Sequence, residues 1–207
     1  MIDQSQFTIS EFKIKSGRFE QALDINPVLI AELNIYESIR MPFLTGNFLM
    51  IDDIGLRSSF GIYGNEELTI TLDGPPGSDI EPITKEFMIT AVEQSVPTTD
   101  RESVDLYTII EKHAYLSEVR KVSQSFKGKG EDIIKKMLLN FFDMGYDKRS
   151  FPEINSIQSG FRYVAPFIEP LEAVEIIRKR ISTPEGTPFY LYSTLRNPNL
   201  VLNDFES

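Results

Sequence analysis

A chain of 207 residues with 41% hydrophobic and 25% charged residues can bury a core in one or two compact domains and is not broadly disordered. It has no cysteine, no tryptophan and a single histidine, His113, which removes disulfides, thiolate metal sites and cysteine nucleophiles together. The net charge of −10 is one-sided: residues 1–97 hold 15 Asp and Glu against 6 Lys and Arg, so this half repels nucleic-acid phosphates and a sequence-specific nucleic-acid reader is not expected.

The amino terminus, MIDQSQFTISEF, carries acids and no apolar run, unlike a secretory signal. No stretch approaches the roughly 20 apolar residues that span a bilayer. Both features predict a protein made and kept in a cytoplasm, or assembled into a particle there.

The first half reads as strands. In FTISEFKIK, apolar Phe7, Ile9, Phe12 and Ile14 slip once in their alternation at Ser10–Glu11, which predicts a bulge. VLIAELNIYESI keeps Ile30, Leu33, Ile35 and Ile39 among polar neighbours, and FLMI and LTITL are two further strands. Between the last two lies IGLRSSF, expected as a short helix capped by Asp53 and ended by Gly61. Gly74–Pro82 is a turn-rich loop. EFMITAVEQSV and SVDLYTII follow as strands joined by PTTDRE, a hairpin connection.

After about Lys112 the period changes. HAYLSEVRKV predicts one short helix. GEDIIKKMLLNFFDMG places Ile133, Ile134, Met137, Leu138 and Phe141 on one helical face, with Gly145 as the stop. EPLEAVEIIRKRIS does the same with Leu171, Val174, Ile177 and Ile181, with Pro170 in the first turn and Arg178, Lys179 and Arg180 near the carboxyl end. TPFYLYSTLR is an aromatic-rich strand. LVLNDFES ends within a strand and its turn: either this strand closes a small sheet or the chain stops short of a longer product.

Candidate sites are few. GKG at Gly128–Gly130 precedes a helix but lacks the spacing and hydroxyl of a phosphate loop, and Glu131 and Asp132 occupy the first turn where a phosphate would sit. Gly130 is expected as the cap of a hinge there. His113 is the one imidazole base, and without a partner motif it is read as structural or exposed. Asp52 and Asp53 are adjacent, which on a strand turns them to opposite faces and keeps them off a common ion. Glu66 and Glu67 are read as the polar edge of a turn. RYVAPFIEP (Arg162–Pro170) is either an exposed partner-binding segment or a buried strand leading into a helix. No catalytic residue, cofactor-binding residue or metal site is expected.

The succession IAELNIYESI, FLMIDD, FGIYGNEELTITLDG and EFMITAVEQSV resembles the amino-terminal tube-like domain of phage baseplate hub proteins, a family related to type VI secretion spike proteins. SFKGKGEDIIKKML and FRYVAPFIEPLEAVEIIRKRISTPEGTPFYLYSTLR resemble the later part of the same proteins, and the likeness spans about residues 25–203.

The resemblance implies an α+β chain with a tube-like antiparallel β-barrel over 1–112 and a smaller α/β hub domain over 113–207. It implies a non-enzymatic virion protein of the tail baseplate, assembled in the host cytoplasm. The implied partners are further copies of itself as a homotrimer, the tail tube protein, the central spike protein and other baseplate proteins, with DNA passing only in transit. Family members carry a second tube-like domain for which 207 residues leave no room. The candidate subunit interface is Asp53, Leu56, Arg57, Phe60 and Ile62, with Leu56 and Phe60 alternatively plugging their own barrel. The rival functions are a tail-associated, lysozyme-like carboxylate hydrolase and an assembly-chaperone or binding module.

Overall fold

The computed structural model describes residues 7–53, 55–97, 103–142, 144 and 160–204. The chain is α+β and divides into two compact units, Met1–Tyr36 with Thr45–Lys112, and Glu37–Leu44 with His113–Ser207. Residues 37–44, inside the first expected domain, group with the second unit.

The first unit is one curled antiparallel sheet. Its strands are β1 (Thr8–Lys15), β2 (Leu23–Asp24), β3 (Ile30–Tyr36), β4 (Thr45–Asp52), β5 (Glu67–Asp73), β6 (Ile83–Pro97) and β7 (Ser103–Glu111). They pair in the order β2-β1-β5-β6-β7-β4-β3. The outermost strands do not pair with each other among the described residues, so the sheet is a half-barrel.

Alternation explains the curl. One face of each central strand is apolar: Phe12 and Ile14 on β1, Phe48 and Met50 on β4, Leu68 and Ile70 on β5, Phe87 and Ile89 on β6, Tyr107 and Ile109 on β7 are all buried. Wrapping these faces inward removes them from water, worth roughly 1.5–3 kcal/mol for each large side chain. The curl brings β1 opposite β4, where the Phe12 and Phe48 rings meet edge to face at 5.0 Å, while Phe48 stacks on Tyr107 at 4.8 Å.

The β1 bulge falls as the broken alternation predicts, with register shifting between Ile9 and Glu11. A second shift, between Ile30 and Glu32, bends β3. Gly46 makes the close β3–β4 approach possible, because a Cβ there would lie 2.3 Å from the Asn34 carbonyl oxygen. The arms of the β6–β7 hairpin pair out to Pro97 and Ser103; the rest of the expected connection, 98–102, lies outside the described residues.

The second unit packs helices α1 (Lys112–Glu118), α2 (Gly130–Phe142) and α3 (Pro170–Arg178) with two small sheets. The sheets pair β8 (Ser125–Gly128) with β9 (Phe161–Val164), and β10 (Tyr190–Tyr192) with β11 (Val201–Asn203). The expected helical faces are the buried ones: Ile133, Ile134, Met137 and Leu138 on α2, and Leu171, Val174 and Ile177 on α3. Ile181 is buried too, but beyond the end of α3.

Three expectations change. The helix expected over HAYLSEVRKV stops at Glu118, and the next residues run on toward β8, a strand that periodicity did not reveal. Gly130 is the first helical residue instead of the cap; the Lys129 carbonyl accepts the first helical bond, from Ile133 N–H. On β10 the tyrosines face outward, and Phe189 and Leu191 are the buried residues. The stop expected at Gly145 lies outside the described residues. Within LVLNDFES, Val201–Asn203 pairs with β10 in a small two-stranded sheet.

Two buried polar links hold the second unit. The Ser117 hydroxyl accepts from Leu171 N–H at 2.9 Å and so caps α3, whose own N-cap residue, Glu169, makes no side-chain capping bond and pairs instead with Lys121 at 2.8 Å. His113 is buried with Nε2 2.6 Å from the Pro42 carbonyl oxygen, and its ring meets Phe142 edge to face at 6.0 Å. Committed to a backbone carbonyl in this way, the imidazole has a structural role.

Candidate assembly surface of the sheet

The loop between β4 and β5 is built around a buried aspartate. Asp52, the last residue of β4, accepts from Leu56 N–H at 2.7 Å through Oδ1 and from Arg57 N–H at 3.0 Å through Oδ2. This caps the short π-helix Arg57–Gly61, closed by Ile62 N–H donating to the Arg57 carbonyl at 3.1 Å. The cap is therefore Asp52 and not Asp53, which is exposed. The reason is parity: Asp52 falls on the inner face of β4, over the loop, and Asp53 on the other.

We expect Asp52→Ala to cost about 2 kcal/mol, because two loop N–H groups lose their acceptor. Asp53→Ala should stay within about 0.5 kcal/mol of the parent. Paired urea melts check this, and equal losses would return the cap to Asp53.

Gly61 ends the π-helix at φ +73°, where a Cβ would also lie 2.9 Å from Arg18 Nη1. The next turn is held by Glu66, buried, whose two carboxylate oxygens accept from Tyr63 N–H at 3.1 Å and Gly64 N–H at 2.9 Å. The polar edge predicted for this turn is thus a buried clasp, and only Glu67 turns outward, to Lys112 Nζ at 3.3 Å.

Of the five candidate interface residues, Leu56 and Ile62 are interior. Asp53 is exposed, and Arg57 and Phe60 are half-buried. Phe60 stacks on Phe19 at 4.7 Å, and the Arg18 guanidinium lies 5.4 Å from the Tyr63 ring centre. An aromatic and cationic cluster results, of exposed Arg18, Phe19 and Tyr63 with half-buried Phe60, half of it contributed by the β1–β2 turn. Pairing across 41 residues of chain left no local signal.

Close to the loop, two polar side chains, Tyr107 and Asp105, are buried in the core. Tyr107 donates to Asp105 Oδ2 at 3.3 Å, and Asp105 Oδ1 has no hydrogen-bond partner among the described residues. Burial pushes the Tyr107 phenol well above the ordinary tyrosine range, Asp105 and Asp52 add to this, and Arg57 opposes it. Among the described residues no three His, Asp or Glu side chains are gathered as a metal site. Asp52, with both oxygens engaged by backbone N–H groups, is a poor general acid or nucleophile.

Among the described residues, open strand edges include that of β3, which pairs only with β4, and that of β6 beyond Ile89, which pairs only with β7. Between them, the outer faces of β3, β4, β7 and β6 form a trough of about 430 Å³ lined by Glu32, Asn34, Asn47, Leu49, Gln94, Val96, Val104 and Leu106. Its floor is apolar at Leu49, Val104 and Leu106 and polar at Asn47, and one rim carries the Glu32 carboxylate, to which Asn34 Nδ2 donates at 2.7 Å.

No family model matches the chain, and no curated protein matches it by sequence. Solved structures do. The tail protein of Neisseria meningitidis MC58 superposes over 95% of this chain at 12% identity and TM-score 0.51. The 43 kDa tail protein of prophage MuSo2 from Shewanella oneidensis superposes over 93% at 14% identity and TM-score 0.52. This chain shares their fold. It spans about half of each, 52% and 54% of their lengths.

Proposed function

We propose that this chain is a structural, non-enzymatic component of a phage tail, a baseplate hub subunit whose sheet forms part of a tube-like ring. The ring joins tail tube to central spike and lets DNA pass during ejection. The observation that carries the reading is the fold shared with two tail proteins along nearly the whole chain.

The open edges support it. A half-barrel with unpaired strand edges exposes rows of backbone donors and acceptors, and head-to-tail pairing of such edges around a symmetry axis satisfies them. The expected assembly is a homotrimer, with Asp53, Arg57 and Phe60 near the junction and tail tube and spike proteins as partners. The chain's acidity fits a bore that DNA crosses without adhering, since each favourable phosphate contact would slow transit.

Native mass spectrometry of the purified chain, alone and mixed with tail-tube and spike proteins, tests the proposal. A closed ring is expected. A monomer that persists in both mixtures overturns the ring, and imaging that places the carboxylates mainly outside the bore overturns the acidic lining.

A further inference from the structure

The segment Arg162–Pro170 contains a backbone conformation that its own unit does not explain. β8 and β9 continue past their regular pairing: Ala165 N–H donates to the Gln124 carbonyl at 2.9 Å, and Val122 and Ile168 exchange bonds at 2.8 and 3.2 Å. Two residues, Pro166 and Phe167, therefore face one, Ser123, across the ladder. This is a β-bulge, and it holds Phe167 at φ +59°. Bulges of this kind favour glycine at the left-handed position, and a bulky residue there is strained. Among the described residues, the other non-glycine residue with positive φ is Asn65, a type that tolerates it.

Strain of this sort persists where something compensates it. Burial within the chain does not, because Phe167 is 69% exposed and Val164 beside it 66% exposed. The same outer face carries Lys127 directly opposite Arg162 on the β8–β9 ladder, both exposed and with no carboxylate partner among the described residues. Like charges in that position oppose pairing. The face thus combines an aromatic knob, a second apolar side chain and two cations, each unfavourable for the isolated chain.

The trough on the sheet is complementary. It is a slot of about 430 Å³ with Leu49, Val96, Val104 and Leu106 as apolar surface and Glu32 on its rim, in the half of the sequence that carries the excess acid. That volume lies in the range, roughly 300–1,000 Å³, of sites that enclose small organic groups. We infer that Phe167 of one copy seats in the sheet trough of a second copy, with Lys127 and Arg162 facing its acidic rim. The contact is heterologous, since knob and slot are different surfaces, so it propagates from copy to copy. It goes beyond the ring proposed above and does not require the strand edges to pair.

Sedimentation velocity of the full chain over a wide concentration range is the test, with Phe167→Gly and Val96→Glu as variants. Wild type should self-associate, more weakly as salt rises. Phe167→Gly suits the left-handed position, so its Tm should be equal or higher while its self-association Kd weakens about tenfold or more. Val96→Glu, at an already exposed rim position, should weaken association to a similar extent. An equimolar mixture of the two variants should form pairs again, because the intact knob of one fits the intact trough of the other.

A wild type that stays monomeric overturns the inference, as does a Phe167→Gly variant that associates like wild type. A Val96→Glu variant with unchanged association overturns the trough as the occupant's seat. A fall in the Tm of Phe167→Gly would mean that the aromatic ring serves its own fold, which also overturns it.

Discussion

Phe48→Ala is expected to destabilise the protein by about 3–5 kcal/mol, the range for deleting a fully buried aromatic ring. Phe48 has no solvent exposure and links the two walls of the half-barrel, meeting Phe12 across the curl and Tyr107 on the adjoining strand. Alanine would leave a void bounded by two rings whose backbones are fixed by strand pairing, so little collapse can offset it. Loss of the two aromatic contacts adds to the transfer cost, each worth about 0.5–1.5 kcal/mol beyond area. Phe48→Leu keeps most of the volume and should lose less than half as much. Urea unfolding of the three proteins decides the matter, and near-equal stabilities would mean that the curl does not depend on this contact.

The second large effect concerns a buried ion pair. Lys85 on β6 and Glu111 on β7 point into the curl, with Nζ and Oε1 3.1 Å apart and side chains only 5% and 6% exposed. Lys85→Met should cost about 3–5 kcal/mol, because it leaves a carboxylate in the interior without its cation. Replacing both, as Lys85→Met with Glu111→Leu, should recover most of that loss. Desolvating two charges costs nearly what their attraction returns, so an apolar pair of similar volume performs comparably. The double-mutant cycle separates the two terms: a double variant as unstable as the single one would mean that the site needs charge for a reason other than pairing.

Local pattern carried most of the secondary structure into view. Period-two alternation at Leu68, Ile70 and Leu72 and at Phe12 and Ile14 marks which face of each strand is interior, and these residues are buried. The slip at Ser10 marked the β1 bulge because a single extra residue inverts the alternation on either side. The apolar faces of α2 and α3 were equally readable, since their burial follows from spacing along one helix.

The candidate site was readable only in part. The sequence located the β4–β5 loop, its glycine stop and the possibility of an aspartate cap, but chose Asp53. Choosing Asp52 requires knowing which residue is the last on the inner face of β4, which depends on pairing with β7. The stacking of Phe19 on Phe60, the clasp by Glu66 and the Ser117 cap on α3 were invisible for a related reason: each joins a side chain to a group whose proximity is set by packing.

The sequence by itself determined an acidic, cysteine-free chain, most of the strands of its first half, and the buried faces of strands such as β1 and β5 and of helices α2 and α3. Those properties depend on each residue and its near neighbours. Tertiary structure alone decided the strand order that leaves β3 and β6 with open edges, the pairing of Lys85 with Glu111, and the outward turn of Phe167 on a strained bulge. These depend on which distant segments meet, and no period along the chain encodes that meeting.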